Sequence, residues 1–327
     1  MLTFDEAMGQ VPTGANKAIL LGNGFSQSWD GTIFNYQNLF TQADFGARET
    51  EIRGVFNRFE TYDFETVMHK MLAAADVLEI YGGDVATIQQ IRADAVQLKE
   101  ALITAIATTH PERPYDVNNS QYRAVRTFLS QYSKIFTLNY DLLMYWARNQ
   151  GGIVPLDFDT DDGFRNRNEW QGYGTNQQIF FLHGGLHIYD TSTAIKKHIY
   201  TNGGDSIVDQ VRNNLRNNKF PLFVSEPTYE KKKIRISHNP FLDFCFRALK
   251  ELDGALFIYG HSFDESDLHV FEQITLSRCN RAYVSIYGDE RSPSNQRTIA
   301  NARTFLARTG LTLDFFSAES APVWQTP

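Results

Sequence analysis

Seven short apolar runs, each closed by small or polar residues, constrain the fold of this chain more than any other feature. They are Lys17–Leu21, Lys134–Leu138, Gln178–Leu182, Pro221–Val224, Ala255–Tyr259, Ala282–Tyr287 and Leu311–Phe316. Four to six apolar residues without strict alternation read as strands buried on both faces, and such strands are parallel. Several spacers carry apolar residues at i, i+3 and i+4, as in Asp141–Gln150, Pro240–Leu252 and Asp264–Arg278, with Asp141 and Asp264 as N-cap candidates. Strand alternating with helix predicts a doubly wound, Rossmann-like α/β fold with a mostly parallel sheet.

One spacer is much longer than the rest. Residues 31–131 hold helical stretches such as Phe64–Glu79 and Val85–Thr108 and no convincing strand. The expected organisation is an α/β domain of residues 1–30 and 132–327 with a helical subdomain inserted at 31–131. Residues 157–178, rich in Gly, Asn and Asp, read as a long surface loop that could act as a lid.

In open α/β sheets ligands bind at the carboxyl ends of the strands. The runs are followed by Gly22, Asn23, Gly24, Phe25 and Ser26, then Asn139 and Asp141, then His183, then Glu226, then Gly260, His261 and Ser262. Two glycines, a Ser, an Asn, an Asp and a His suit a nucleotide with phosphates, ribose hydroxyls and one bond to break. Glycines after a strand let backbone N–H groups approach a phosphate, but they also serve a tight strand-to-helix turn. The dehydrogenase fingerprint is incomplete, because Gln27 stands where its third glycine would be. Asp141 could equally cap the following helix, His183 could be a satisfied structural histidine, and Glu226 could be a turn residue. His187 lies four residues after His183, but Gly184-Gly185 between them disfavours the helix a metal pair would need. Lys231, Lys232, Lys233 and Arg235 read as a solvated face, with an anion or partner patch as the lesser alternative.

The net charge of −7 argues against a dedicated nucleic-acid binder. Two cysteines, Cys245 and Cys279, make neither a disulfide framework nor a four-thiolate zinc site. There is no apolar run long enough to span a membrane and no signal-peptide pattern at the N-terminus, so a cytoplasmic location is expected.

Taken together, the ordered clusters resemble the sirtuin-like NAD-consuming family. The pieces are Gly22-x-Gly24-x-Ser26, Asn139-x-Asp141, Leu182-His183-Gly184, a strand ending in Phe-x-x-Glu226, and the segment Tyr259–Asp267. The last is similar to a motif of the family's bacterial, defence-associated branch. The resemblance spans about residues 17–290 and implies catalytic roles for Asn139 and His183. It implies NAD contacts for Gly22, Asn23, Gly24, Phe25, Ser26, Asp141, Glu226, Gly260, His261 and Ser262. The zinc ribbon of deacylase sirtuins is missing, since residues 184–220 contain no cysteine. The resemblance therefore implies an NAD glycohydrolase that uses no metal, acting as a regulated anti-phage effector. Alternatives are a non-catalytic NAD or ADP-ribose sensor controlling a partner, and an ADP-ribosyl transferase or cyclase. A homo-oligomer or a separately encoded partner is expected. Its contact would lie on the helical insertion, where Phe64, Val67, Met71 and Leu72 offer more apolar surface than one layer needs.

Overall fold

A computed structural model describes every residue except 35, 166–167, 192, 200–203, 218, 227 and 326–327. Among the described residues the strands are β1 (Lys17–Leu21), β2 (Lys134–Thr137), β3 (Phe164–Arg165), β4 (Glu169–Trp170), β5 (Ile179–Phe181) and β6 (Gly184–Gly185). They continue with β7 (Ile188–Asp190), β8 (Ile195–Lys197), β9 (Leu222–Phe223), β10 (Asp253–Tyr259), β11 (Arg278–Ile286) and β12 (Thr312–Ser317). Six of the twelve form one parallel sheet in the order β12-β11-β10-β1-β2-β5. Ile19, Leu20, Phe136, Ile179, Leu256, Phe257 and Val284 are all buried, which is why these strands are continuously apolar. The sheet is Rossmann-like α/β, as the alternation of runs and helices predicts.

One of the seven runs does not join this sheet. Leu222–Phe223 pairs antiparallel with Gly184–Gly185 in a separate two-stranded ribbon. An apolar run records burial but not its pairing partner. The segment 157–178 is also not wholly a surface loop. β3 and β4 belong to a four-stranded sheet with β7 and β8. Asp162 within it is fully buried against Lys197 Nζ at 2.5 Å.

Between β1 and β2 the described residues hold helices and no strand. The longest are Phe64–Ile80 and Val85–Thr109. Asp63 caps the first by accepting from the N–H of Glu65 and Thr66, and Asp84 caps the second through Thr87. Phe64, Val67 and Met71 belong to the buried core cluster that also holds the sheet residues, and Leu72 is partly buried against it. Phe64, Val67 and Met71 therefore fill the protein's own core and are not a free contact surface, while Leu72 lies half-buried at its margin. Among the apolar residues of this segment that stay exposed, Val77, Leu78, Ile80, Tyr81 and Val85 gather at the tip of the two helices, and others such as Phe59, Val96 and Tyr115 lie away from it.

Candidate active site

The strand register sets the site. Leu21 is level with Thr137 on one side and Tyr259 on the other, and Thr137 is level with Phe181. The residues after β1, β2, β5 and β10 therefore share one sheet edge. There Asn139 Nδ2 donates to Ser26 Oγ at 2.9 Å, and Ser26 Oγ donates to Asp141 Oδ2 at 2.5 Å. Asp141 Oδ1 accepts the N–H of Leu143, so this carboxylate steadies the start of the helix Leu143–Asn149 while its other oxygen serves the site. Burial pushes the Asp141 carboxyl up, opposed by these two hydrogen bonds. Ser26, Asn139 and Asp141 are all buried.

The glycine turn has a structural duty. A Cβ on Gly22 would stand 2.6 Å from the carbonyl oxygen of Gly260, and one on Gly24 would stand 2.6 Å from its Cα. Gly260 itself has φ +69, a conformation that favours glycine. The two turns also bond directly: Gly22 N–H donates to the Tyr259 carbonyl at 2.9 Å and Gly24 N–H to the Gly260 carbonyl at 2.8 Å. The N–H groups of Phe25, Ser26 and Gln27 are likewise engaged inside the turn. Asn23 Nδ2 donates to the carbonyl of Phe34, and the fully buried ring of Phe25 packs against Trp324 at 5.2 Å. The three glycines are thus needed for two backbones to touch, and Phe25 is an anchor for the turn.

His183 follows β5 at the next position along the edge. Its carbonyl accepts from Val224 N–H, and the Val224 carbonyl accepts from Tyr140 Oη at 2.5 Å. Behind it lies a buried cluster that sequence reasoning did not assemble. His183 Nε2 faces His269 Nε2 at 3.1 Å, and Asp267 Oδ1 is 3.9 Å from His183 Nε2. His261 accepts the Phe263 N–H at Nδ1, so its proton is on Nε2, which donates to Asp267 Oδ2 at 3.1 Å. Lys232 Nζ reaches Asp267 Oδ1 at 2.9 Å and Glu65 Oε2 at 2.6 Å, with the lysine 1% exposed. Burial holds His183 well below its ordinary value and His269 at about 4, so both are neutral. Burial alone would raise the Asp267 carboxyl, but Lys232 and the histidines hold it well below the usual carboxylate range. Burial lifts Glu65 to about 7 despite Lys232.

His183, Asp267 and His269 bring donor atoms within 4.8 Å of one another. The Asp267 oxygen nearest His183 already accepts from the Lys232 ammonium, which takes the place a metal cation would need. The donor set therefore fits a metal poorly.

The remaining sequence candidates are divided. His261 enters the cluster through Asp267. Ser262 is exposed. Glu226 follows the ribbon strand β9, not a strand of the main sheet, and forms an ion pair with Lys99 at 2.8 Å. Of the basic run only Lys232 departs from a solvated face, since Lys231, Lys233 and Arg235 are exposed. His187 lies apart from the cluster, fully buried between Tyr145 and Phe181, with neither ring nitrogen partnered among the described residues. Gly184 has φ +78 in an extended ribbon, so His183 and His187 are not on one helical face. Asp267 stood in the quoted segment Tyr259–Asp267, but Glu65, Lys232 and His269 carried no local signal.

The model of a family described as "Domain of unknown function (DUF4917)" matches residues 19–324. Among solved structures, the chain is similar to one described as "The Structural basis of Sirtuin Substrate Affinity". The identity is 12%, the TM-score 0.39, and the match covers 97% of this chain and 95% of that one. It is also similar to a Sir2-homologue mutant in complex with 2'-O-acetyl ADP ribose. There the identity is 9%, the TM-score 0.37, and the coverage 93% and 98%. No curated protein matches the chain.

Proposed function

This chain belongs to the DUF4917 family, and we propose that it is an NAD glycohydrolase releasing nicotinamide and ADP-ribose. The observation that carries this reading is the hydrogen-bonded set Asn139–Ser26–Asp141 beside His183 on one edge of a parallel sheet, in the order of the motifs that resemble the sirtuin-like family.

Nicotinamide is a cationic leaving group on an anomeric carbon, and its loss leaves an oxocarbenium-like centre. In this reading Asn139 and Ser26 orient the ribose hydroxyls and the attacking water, with Asp141 holding Ser26. The water forms the new C1'–O bond, nicotinamide departs with the electron pair of the C1'–N bond, and His183 takes the proton of the water. Such base catalysis is worth roughly 10²–10⁴-fold. The turns at Gly22–Ser26 and Gly260–Ser262 form the floor beneath the dinucleotide, with Glu226 at its rim. No step calls for a metal.

A cell that makes an NAD-destroying enzyme needs it restrained. Ser26, Asn139 and His183 are buried, and Glu65 and Lys99 of the helical segment bond to Lys232 and Glu226 beside the site. In this reading residues 31–131 are an inserted subdomain that covers the site, and a regulated defence effector working in the cytoplasm would be activated by its displacement. Self-association or a partner protein would engage the exposed tip at Val77, Ile80, Tyr81 and Val85. A second reading, a nucleotide sensor, draws on the same closure.

Incubation of the protein with NAD, followed by chromatographic identification of products, separates the two. Nicotinamide and ADP-ribose are the expected products. Saturable NAD binding with no nicotinamide released, with or without displacement of the helices, would establish the sensor instead.

A further inference from the structure

The contact between His183 and His269 has a chemical consequence for the base. The two Nε2 atoms are 3.1 Å apart, and the rings are nearly parallel, at 13° with centroids 5.3 Å apart. Two lone pairs repel at that separation, as do two N–H groups, so a single proton lies between the nitrogens. His269 is fully buried at the start of the helix Leu268–Thr275, next to Asp267. Its other nitrogen, Nδ1, is buried with no hydrogen-bond partner among the described residues.

We propose that His269 is a positioning residue for His183: it accepts the Nε2–H of His183 and thereby leaves Nδ1 of His183 as the nitrogen that takes the proton in NAD cleavage. This rests on the glycohydrolase reading above. In the opposite tautomer His269 donates, His183 carries its proton on Nδ1, and no basic nitrogen is left on the ring. In the productive tautomer the water proton moves to His183 Nδ1 as its oxygen bonds C1' and the C1'–N pair leaves with nicotinamide. The resulting imidazolium keeps its Nε2–H on His269 and lies beside the Asp267 carboxylate, whose charge favours the cation. The proton passes to solvent when the products leave. Asp267 in turn is held by Lys232 and His261, so the base is set by residues from two separated stretches of chain.

The test has two arms. Protein labelled with ¹⁵N-histidine, without NAD and at neutral pH, reports the tautomers directly, with signals assigned from the H183Q and H269Q variants. The expected spectrum shows a protonated Nε2 and an unprotonated Nδ1 on His183, and an unprotonated Nε2 on His269. A protonated Nδ1 on His183, or two unprotonated Nε2 atoms, overturns the proposal whether or not the protein cleaves NAD. The second arm is kinetic. H269L should lower kcat about tenfold or more with KM changed less than about threefold, and H269Q, which keeps an acceptor, should recover most of that loss. An H269L enzyme with unchanged kcat would also overturn it. A wild type that releases no nicotinamide refutes the glycohydrolase reading alone, and the spectrum still decides the histidine pair. Should H269L fail to fold, the wild-type spectrum decides by itself.

Discussion

Replacing Lys232 by Met tests whether the buried charges hold the helical segment to the sheet edge. The side chains are close in size, so packing is largely kept and the ammonium is lost. That ammonium is 2.6 Å from Glu65 and 2.9 Å from Asp267 at a position only 1% exposed. At an effective dielectric constant of about 20, each contact is worth roughly 6 kcal/mol of gross attraction. Desolvation of the three ions offsets most of this, and removing one partner of a buried set leaves a net loss of about 3–5 kcal/mol. The loss should grow with pH. In the native state Glu65 titrates at about 7, above its unfolded value, so its contribution to stability is present at low pH and lost as pH rises through about 7. Without Lys232 its value rises further. Asp267, held low in the native protein, supports the fold above the ordinary carboxylate range, and the variant forfeits that support. Urea unfolding followed by circular dichroism at about pH 6 and about pH 8 should show the variant weaker at both and weakest at the higher pH. A loss under about 1 kcal/mol at both would refute a desolvated Glu65–Lys232–Asp267 set.

Asn139→Ala should lower NAD turnover at least about a hundredfold with little change in unfolding midpoint, since its side chain bonds only Ser26 among the described contacts; turnover near wild type would remove it from the machinery. Gly24→Val should lower the unfolding midpoint as well as NAD binding, because its Cβ meets Gly260 Cα at 2.6 Å; a variant as stable as wild type that binds NAD normally would contradict the packing of the two turns. Metal analysis of the purified protein should find no stoichiometric zinc, and one equivalent lost on His269→Ala would show that Lys232 does not occupy the cation position.

Parallel strands buried on both faces are apolar throughout, so six of the seven runs and the α/β class were legible from the residues alone. The order of the clusters after those strands was legible for the same reason, because the polar residues of a buried strand collect at its end. The partner of an apolar run was not, and Leu222–Phe223 pairs with Gly184–Gly185 away from the parallel sheet. Gly22 and Gly24 announce a close approach, but only the fold shows that the approaching group is the Gly260 backbone. Lys232 looks like Lys231 and Lys233 in sequence, and helix phase and packing alone bury it. Glu65, Lys232, Asp267 and His269 meet because the helical segment, the helix Tyr229–Ser237 and the turn after β10 converge on His183. Charge pairs between stretches so far apart leave no local period or spacing, so only the tertiary structure could assemble the cluster that sets the chemistry of this histidine.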